Sequence, residues 1–127
     1  MLNKANKQNN AQFGRAGEQQ AADYLRKKGY QIIQQNYRWA RGEIDIIARD
    51  EKTLVFVEVK TTRNASTFGE PETWVTLRKQ QQIGQVASRF LQEFEIKDVD
   101  CRFDVVAVTY SNQSWHLKHI ENAFWLS

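Results

Sequence analysis

Gly42-Glu43-Ile44-Asp45-Ile46-Ile47 and, after a short break, Val55-Phe56-Val57-Glu58-Val59-Lys60 are the two runs on which the fold turns. Both are rich in the β-branched and aromatic residues that favour strands. Asp50-Glu51-Lys52-Thr53 between them is a polar, turn-like interruption. In a strand, residues two apart share a face. Glu43, Asp45 and Ile47 therefore lie together, as do Phe56, Glu58 and Lys60. Closing the hairpin through Glu51-Lys52, or through Asp50 to Thr53, gives one register. Arg49 then faces Leu54, Ile47 faces Phe56, Asp45 faces Glu58, and Glu43 faces Lys60. The apolar pair supports this register. The carboxylate pair is the anomaly, because like charges directly opposite each other destabilise a sheet. A shared proton or a bound cation removes that penalty.

Outward from the hairpin, the apolar periodicity defines the other elements. Residues 1–12 are dominated by Asn, Gln and Lys and read as a disordered tail. A helix is expected from Phe13 to Lys28, with Gly29 as its stop. Within it Glu18, Ala21, Ala22 and Leu25 follow helical spacing, which turns Glu18 toward the core. A carboxylate there is costly unless it is paired or ligates a metal. Tyr30 to Gln34 reads as a short strand, and Asn36 to Arg41 as a loop. Past the hairpin, Thr61 to Glu72 reads as a polar loop with Gly69 and Pro71. A long helix is expected from Thr73 to Phe94, with the stripe Ile83, Val86, Ala87, Phe90, Leu91 and Phe94 facing the core. Cys101–Tyr110 and Trp115–Ile120 read as a last pair of strands around Ser111-Asn112-Gln113-Ser114. The order α-β-β-β-α-β-β predicts an α/β fold, a central mixed β-sheet flanked by helices, in a single domain spanning residues 13–127.

The totals bound the function. A chain of 127 residues suits one core. No apolar run approaches the roughly 18 residues of a membrane span, and the first residues lack the apolar stretch of a secretory signal. Cys101 stands alone, without a partner for a disulfide or a zinc cluster, which fits a cytoplasmic protein. The net charge of +3 is unevenly spread: residues 1–42 hold eight Lys/Arg against two acids, and residues 43–60 hold three against five. A basic flank beside an acidic pocket suits a polyanion held over a metal site. A basic tail that only aids solubility is the plainer alternative.

Glu18, Asp45 and Glu58 supply three carboxylates, and Lys60 supplies one ammonium. Hard oxygen donors are what magnesium and manganese (Mg2+ or Mn2+) prefer. Lys60, which does not itself bind a metal, is suited to stabilising charge on a phosphate or positioning a water. A solvated salt-bridge ladder is the rival reading, but it leaves the Asp45–Glu58 pair unexplained.

Gly14-Arg15-Ala16-Gly17-Glu18, Asn36-Tyr37-Arg38, Gly42 to Ala48, Val55 to Thr61 and Arg102-Phe103-Asp104-Val105-Val106 resemble the YraN family of bacterial proteins of unassigned function. The resemblance runs from about Phe13 to Phe124. The family looks like a branch of the PD-(D/E)xK nucleases, with archaeal Holliday-junction resolvases as its functional analogues. The resemblance implies a restriction-endonuclease-like fold and metal-dependent hydrolysis of DNA, including branched DNA. It makes Asp45 the motif Asp, Glu58 and Lys60 the Glu-x-Lys, and Glu18 the helical Glu of the resolvase-like branch. Ile44 stands where the motif's Pro often precedes the Asp. A junction resolvase needs two active sites, hence a homodimer. The alternative is a nucleic-acid-binding or scaffold protein that keeps the fold without catalysis.

Secondary candidates are contacts to nucleic acid. Arg15 lies between Gly14 and Gly17 at a helix start, and Arg38, Trp39 and Arg41 mix basic and aromatic groups. Lys79 sits four residues before Ile83, over the core-facing stripe, either reaching toward phosphate or snorkelling. Glu43, on the same face as Asp45, reads as a further ligand or as the partner of Lys60, with the partner role preferred. Asp104 is expected to pair with Arg102 or another basic residue, and His116 and His119 to be structural.

Overall fold

The computed structural model describes residues 4–63 and 75–125, with the side chains of residues 4–8 left aside. The elements follow the order α1 (Lys4–Lys27), β1 (Gln31–Trp39), β2 (Gly42–Asp50), β3 (Thr53–Thr62), α2 (Leu77–Glu93), β4 (Asp100–Ser111) and β5 (Ser114–Ile120). The expected polar loop 61–72 and the expected start of the second helix at Thr73 fall largely outside the described residues. The five strands form one mixed sheet in chain order, with β3 and β4 parallel and every other pair antiparallel. α2 supplies the crossover that a parallel pair requires.

Each face of the sheet buries its own layer. On one face Ile83, Val86, Ala87 and Phe90 of α2 press on Ile44, Ile47, Leu54, Phe56 and Val105. On the other, Ala21, Ala22 and Leu25 of α1 cover Ile46, Ala48, Val55, Val57, Val106 and Val108. Fully burying one such large aliphatic or aromatic side chain contributes about 1.5–3 kcal/mol. Gly17 marks the closest approach of α1 to β3, since a Cβ there would collide with the Thr61 side chain. That contact sets the depth at which the next residue, Glu18, meets the sheet.

Two expectations need correction. Residues 4–12, read as part of a disordered tail, are helical, because α1 begins at Lys4. Lys, Gln and Ala are good helix formers, and no Pro or Gly interrupts the run before Gly14. Composition alone hid a segment that could extend a helix already nucleated by its buried half. β1 is also longer than expected and absorbs the proposed loop as far as Trp39. As an edge strand exposed along most of its length, it lacks the apolar alternation that would have revealed it. Its register with β2 shifts between Ile32 and Gln34, and Asn36 adopts a positive φ of 54° in mid-strand.

The β2–β3 hairpin closes through Glu51-Lys52 in the expected register, with Arg49 opposite Leu54 and Ile47 opposite Phe56. The paired ladder stops at Ile46 and Val57. Beyond it the strands part, just where Asp45 and Glu58 stand. The β4–β5 turn carries positive φ at both Asn112 and Gln113 (50° and 65°), the backbone that a two-residue hairpin turn requires.

Candidate metal centre

The fork between β2 and β3 is filled by a carboxylate. Asp45 Oδ2 accepts a hydrogen bond from the Val59 backbone N–H at 2.8 Å, replacing the strand-to-strand bond that would otherwise form there. Glu58 is buried beside it, and Lys60 Nζ lies 3.8 Å from Glu58 Oε1. From α1, Glu18 reaches the same place: oxygens of Glu18, Glu43 and Asp45 lie within 4.8 Å of one another. The structure thus brings Glu18, Asp45, Glu58 and Lys60 into one region.

Electrostatics explain why the sequence anomaly is tolerated. Burial, followed by the charge of Glu58, lifts the Asp45 carboxyl to about 8, against the pull of the Val59 N–H. Burial also raises Glu58, while the charges of Lys79 and Lys60 draw it down. Two carboxylates this close do not both ionise without a positive partner; without a cation, they share a proton. Lys79, on the first turn of α2 behind the N-cap Thr76, is thereby assigned to the site's electrostatic field.

Glu43 departs from expectation. It does not pair with Lys60, because the ladder that would have set them opposite each other has ended. Instead β1 pairs Arg38 with Glu43, and Arg38 Nε donates to Glu43 Oε2 at 2.6 Å. Its other oxygen accepts from Asn36 Nδ2 at 2.9 Å. Burial works against the Glu43 charge, but the bonds from Asn36 and Arg38 outweigh it and hold the carboxyl below its ordinary range. Each oxygen of Glu43 accepts one bond and keeps a further lone pair, so Glu43 stands with Glu18 and Asp45 as an oxygen donor at this place. The donors for a cation are carboxylate oxygens of Glu18, Glu43 and Asp45, together with Glu58 beside Asp45. This is a hard, all-oxygen set that fits magnesium or manganese.

Sequence reasoning missed Asn36. Its Nδ2 bridges Glu18 (3.0 Å) and Glu43 (2.9 Å), tying α1 to β2. Asn is the non-glycine residue best suited to positive φ, and that backbone aims its amide inward. Assigned to a loop, it entered only as part of the Asn36-Tyr37-Arg38 motif and was given no role.

The remaining candidates lie further out. Arg15 is exposed on α1, and Arg41 is exposed on the two-residue β1–β2 turn. Trp39 is 42% exposed, and with Arg41 it borders a cleft of about 290 Å³ against Gln82, Gln85 and Val86 of α2. Arg38 is bound to Glu43 but stays largely in solvent. On β4, where it stands opposite Val57, Asp104 is fully buried and accepts from Arg102 Nε (2.9 Å) and the Asn122 N–H (3.1 Å), with His119 Nε2 at 2.8 Å. Lys28 Nζ reaches His119 Nδ1 at 3.1 Å and Glu121 at 3.2 Å. This closed network is structural, and it includes the Arg102 pairing expected of Asp104.

A mixed five-stranded sheet with a helix on each face and acidic residues at a strand fork defines an α/β protein with a nuclease-like fold. Residues 17–108 match the family described as "Uncharacterised protein family UPF0102". The chain belongs to that family, which is the YraN family of the sequence resemblance. It is similar to the UPF0102 protein of Geobacter metallireducens, 45% identical over 118 residues covering 93% of this chain and 96% of the relative. The UPF0102 protein of Geobacter sulfurreducens is 48% identical over 116 residues, covering 91% and 90%. That of Chlorobium phaeobacteroides is 46% identical over 118 residues, covering 88% and 93%. Among the described residues, no helix is long and apolar enough to cross a membrane.

Proposed function

We propose that the protein is a metal-dependent endonuclease of the bacterial cytoplasm that hydrolyses phosphodiester bonds of DNA, with branched DNA as its substrate class. The observation that carries this reading is the β2–β3 fork, where Asp45 has Glu58 on one side and lies within 4.8 Å of Glu18 and Glu43 on the other, with the Lys60 ammonium beside Glu58. Asp45 and Glu58 would hold Mg2+ or Mn2+ through carboxylate oxygens, and Glu18 would complete the set from α1. A cation bound there supplies Lewis acidity toward phosphate and an acidified water. Lys60, two residues from Glu58 and on the same face, is suited to donate to a phosphate oxygen as charge grows on it. The Arg38 guanidinium offsets the charge of Glu43, which lowers its repulsion of the incoming phosphate. Arg15, Arg38, Trp39, Arg41 and Lys79 are the proposed contacts to the strand. Two-fold cleavage of a junction calls for a homodimer.

The test is calorimetric titration of Mn2+ into wild type and Asp45→Asn, paired with cleavage assays on junction, flap and duplex DNA. Metal binding lost in Asp45→Asn, with cleavage lost in Lys60→Ala, is the expected result. Salt-sensitive DNA binding that survives Glu58→Ala, with no metal-dependent product from any protein, would sink the catalytic reading. It would leave the non-catalytic DNA-binding role in its place.

A further inference from the structure

We propose that a cleft one helical turn from Glu18 receives an unpaired nucleobase of the strand held at the carboxylate centre. The proposal rests on the nuclease-like reading above and narrows its substrate to DNA with a single-stranded segment.

The cleft measures about 330 Å³ and lies between Asn10, Phe13 and Gly14 of α1 and Thr61 and Arg63 at the end of β3. One wall is built of stacked planes. The Arg63 guanidinium lies over the Phe13 ring at 3.7 Å. The Phe13 ring stacks on Trp115 at 5.5 Å and 22°. Tyr110 follows at 4.9 Å from Trp115, and its side chain is partly exposed. Among the described residues the Arg63 guanidinium is held by the Phe13 ring and makes no ion pair. The rim is polar, with the Asn10 amide and the Thr61 hydroxyl. At Gly14 an added Cβ would meet nothing within 4 Å, so the cleft is open there.

A nucleobase has apolar faces and hydrogen-bonding edges, and it travels with a phosphate. A guanidinium-capped aromatic column beside an amide and a hydroxyl matches each of these features. Position adds to the match. Gly14 precedes Glu18 by four residues and so shares its face of α1, while Thr61 and Arg63 line the α1 side of β3, across the strand from Lys60. At 1.5 Å of rise per helical residue, the cleft lies roughly 7 Å along α1 from the carboxylates, or about two stacked nucleotide steps. A base in a duplex is stacked on both faces and cannot enter, so the cleft selects an unpaired one.

The experiment measures fluorescence anisotropy of a labelled single-stranded DNA oligonucleotide and of a blunt duplex of the same sequence, at one salt concentration in EDTA. The proteins are wild type, Arg63→Ala and Phe13→Leu, and Mn2+ calorimetry runs alongside as a check of the metal centre. Wild type is expected to bind the single strand more tightly. Each variant is expected to lose about tenfold in single-strand affinity while keeping duplex affinity within twofold and metal binding intact. Arg63 is exposed, so Arg63→Ala reads the cleft even if Phe13→Leu disturbs α1. Equal losses on both DNAs, or no loss on the single strand, would overturn the cleft and leave the metal centre standing. Failure of wild type to bind either DNA, in EDTA and again with Ca2+ added, would overturn both.

Discussion

Replacing Asp45 with Asn should make the metal-free protein more stable, although it removes a residue at the heart of the site. In the unfolded chain this carboxyl loses its proton near pH 4. In the folded chain, burial and Glu58 hold the proton until about 8. A group whose folded value is raised contributes stability below its unfolded value and loses it as pH climbs toward the folded one. Between pH 4 and pH 7 the loss spans three decades of proton activity at ~1.4 kcal/mol each, giving a ceiling of ~4 kcal/mol. Asn carries no proton to lose, its amide oxygen can still accept from the Val59 N–H, and its NH2 can donate to Glu58. Water entering the fork lowers the gain, so we expect ~2 kcal/mol at pH 7, or about 6–10 °C in melting temperature for a chain of this size. The assay is thermal and urea unfolding of both proteins in EDTA from pH 4 to pH 8. The advantage of Asp45→Asn should be small at pH 4 and grow with pH. Excess Mn2+ should then reverse the order by stabilising only wild type, by ~2.7 kcal/mol at a hundred times the dissociation constant. A variant less stable than wild type at pH 7, or an advantage independent of pH, would refute the reasoning.

Three further outcomes are expected. Gly17→Ala should destabilise the fold by about 1–3 kcal/mol through its clash with Thr61, and Thr61→Ala should restore most of that in the double variant, as read by urea midpoints. Asp104→Ala should cost about 1–3 kcal/mol by leaving buried His119 and the Asn122 N–H without their acceptor, while Arg102 keeps Asp50. Although burial pushes Asp104 up, bonds from His119 and Arg102 hold it below its ordinary value, so its contribution is present at neutral pH and lost only as pH falls below 4; wild type should therefore converge on the variant only in strong acid. Asn36→Gly should keep the fold, because Gly accepts positive φ, whereas Asn36→Ala should lose about 1 kcal/mol to backbone strain. Both should weaken Mn2+ binding in calorimetry by releasing Glu18 and Glu43.

The hairpin could be read in advance because two physical signals agreed on it: period-two alternation, and a register in which Ile47 meets Phe56. Helices were legible where an apolar stripe had to be buried, as along Ile83 to Phe90. They were not legible where a helix simply continues into solvent, as α1 does before Phe13. The carboxylates of the site were legible because their charges make no sense in a sheet without a counter-charge. Their partners were not. Which base neutralises Glu43 depends on the pairing of β1 with β2, and that edge strand carries almost no apolar pattern. The role of Asn36 depends on one backbone angle, which a single residue letter permits but does not demand.

The same irregular stretch of β1 has a consequence for solubility. An edge strand offers a row of unpaired backbone groups to any neighbouring chain, and regular edges template aggregation. Here the register slips between Ile32 and Gln34, and Asn36 turns the chain through the left-handed region two residues later. The geometry that aims an amide at two carboxylates also breaks the regularity on which a foreign strand would have to zip. A second copy of the protein, if it binds, is thereby steered away from extending the sheet across β1 and toward contacts made by side chains.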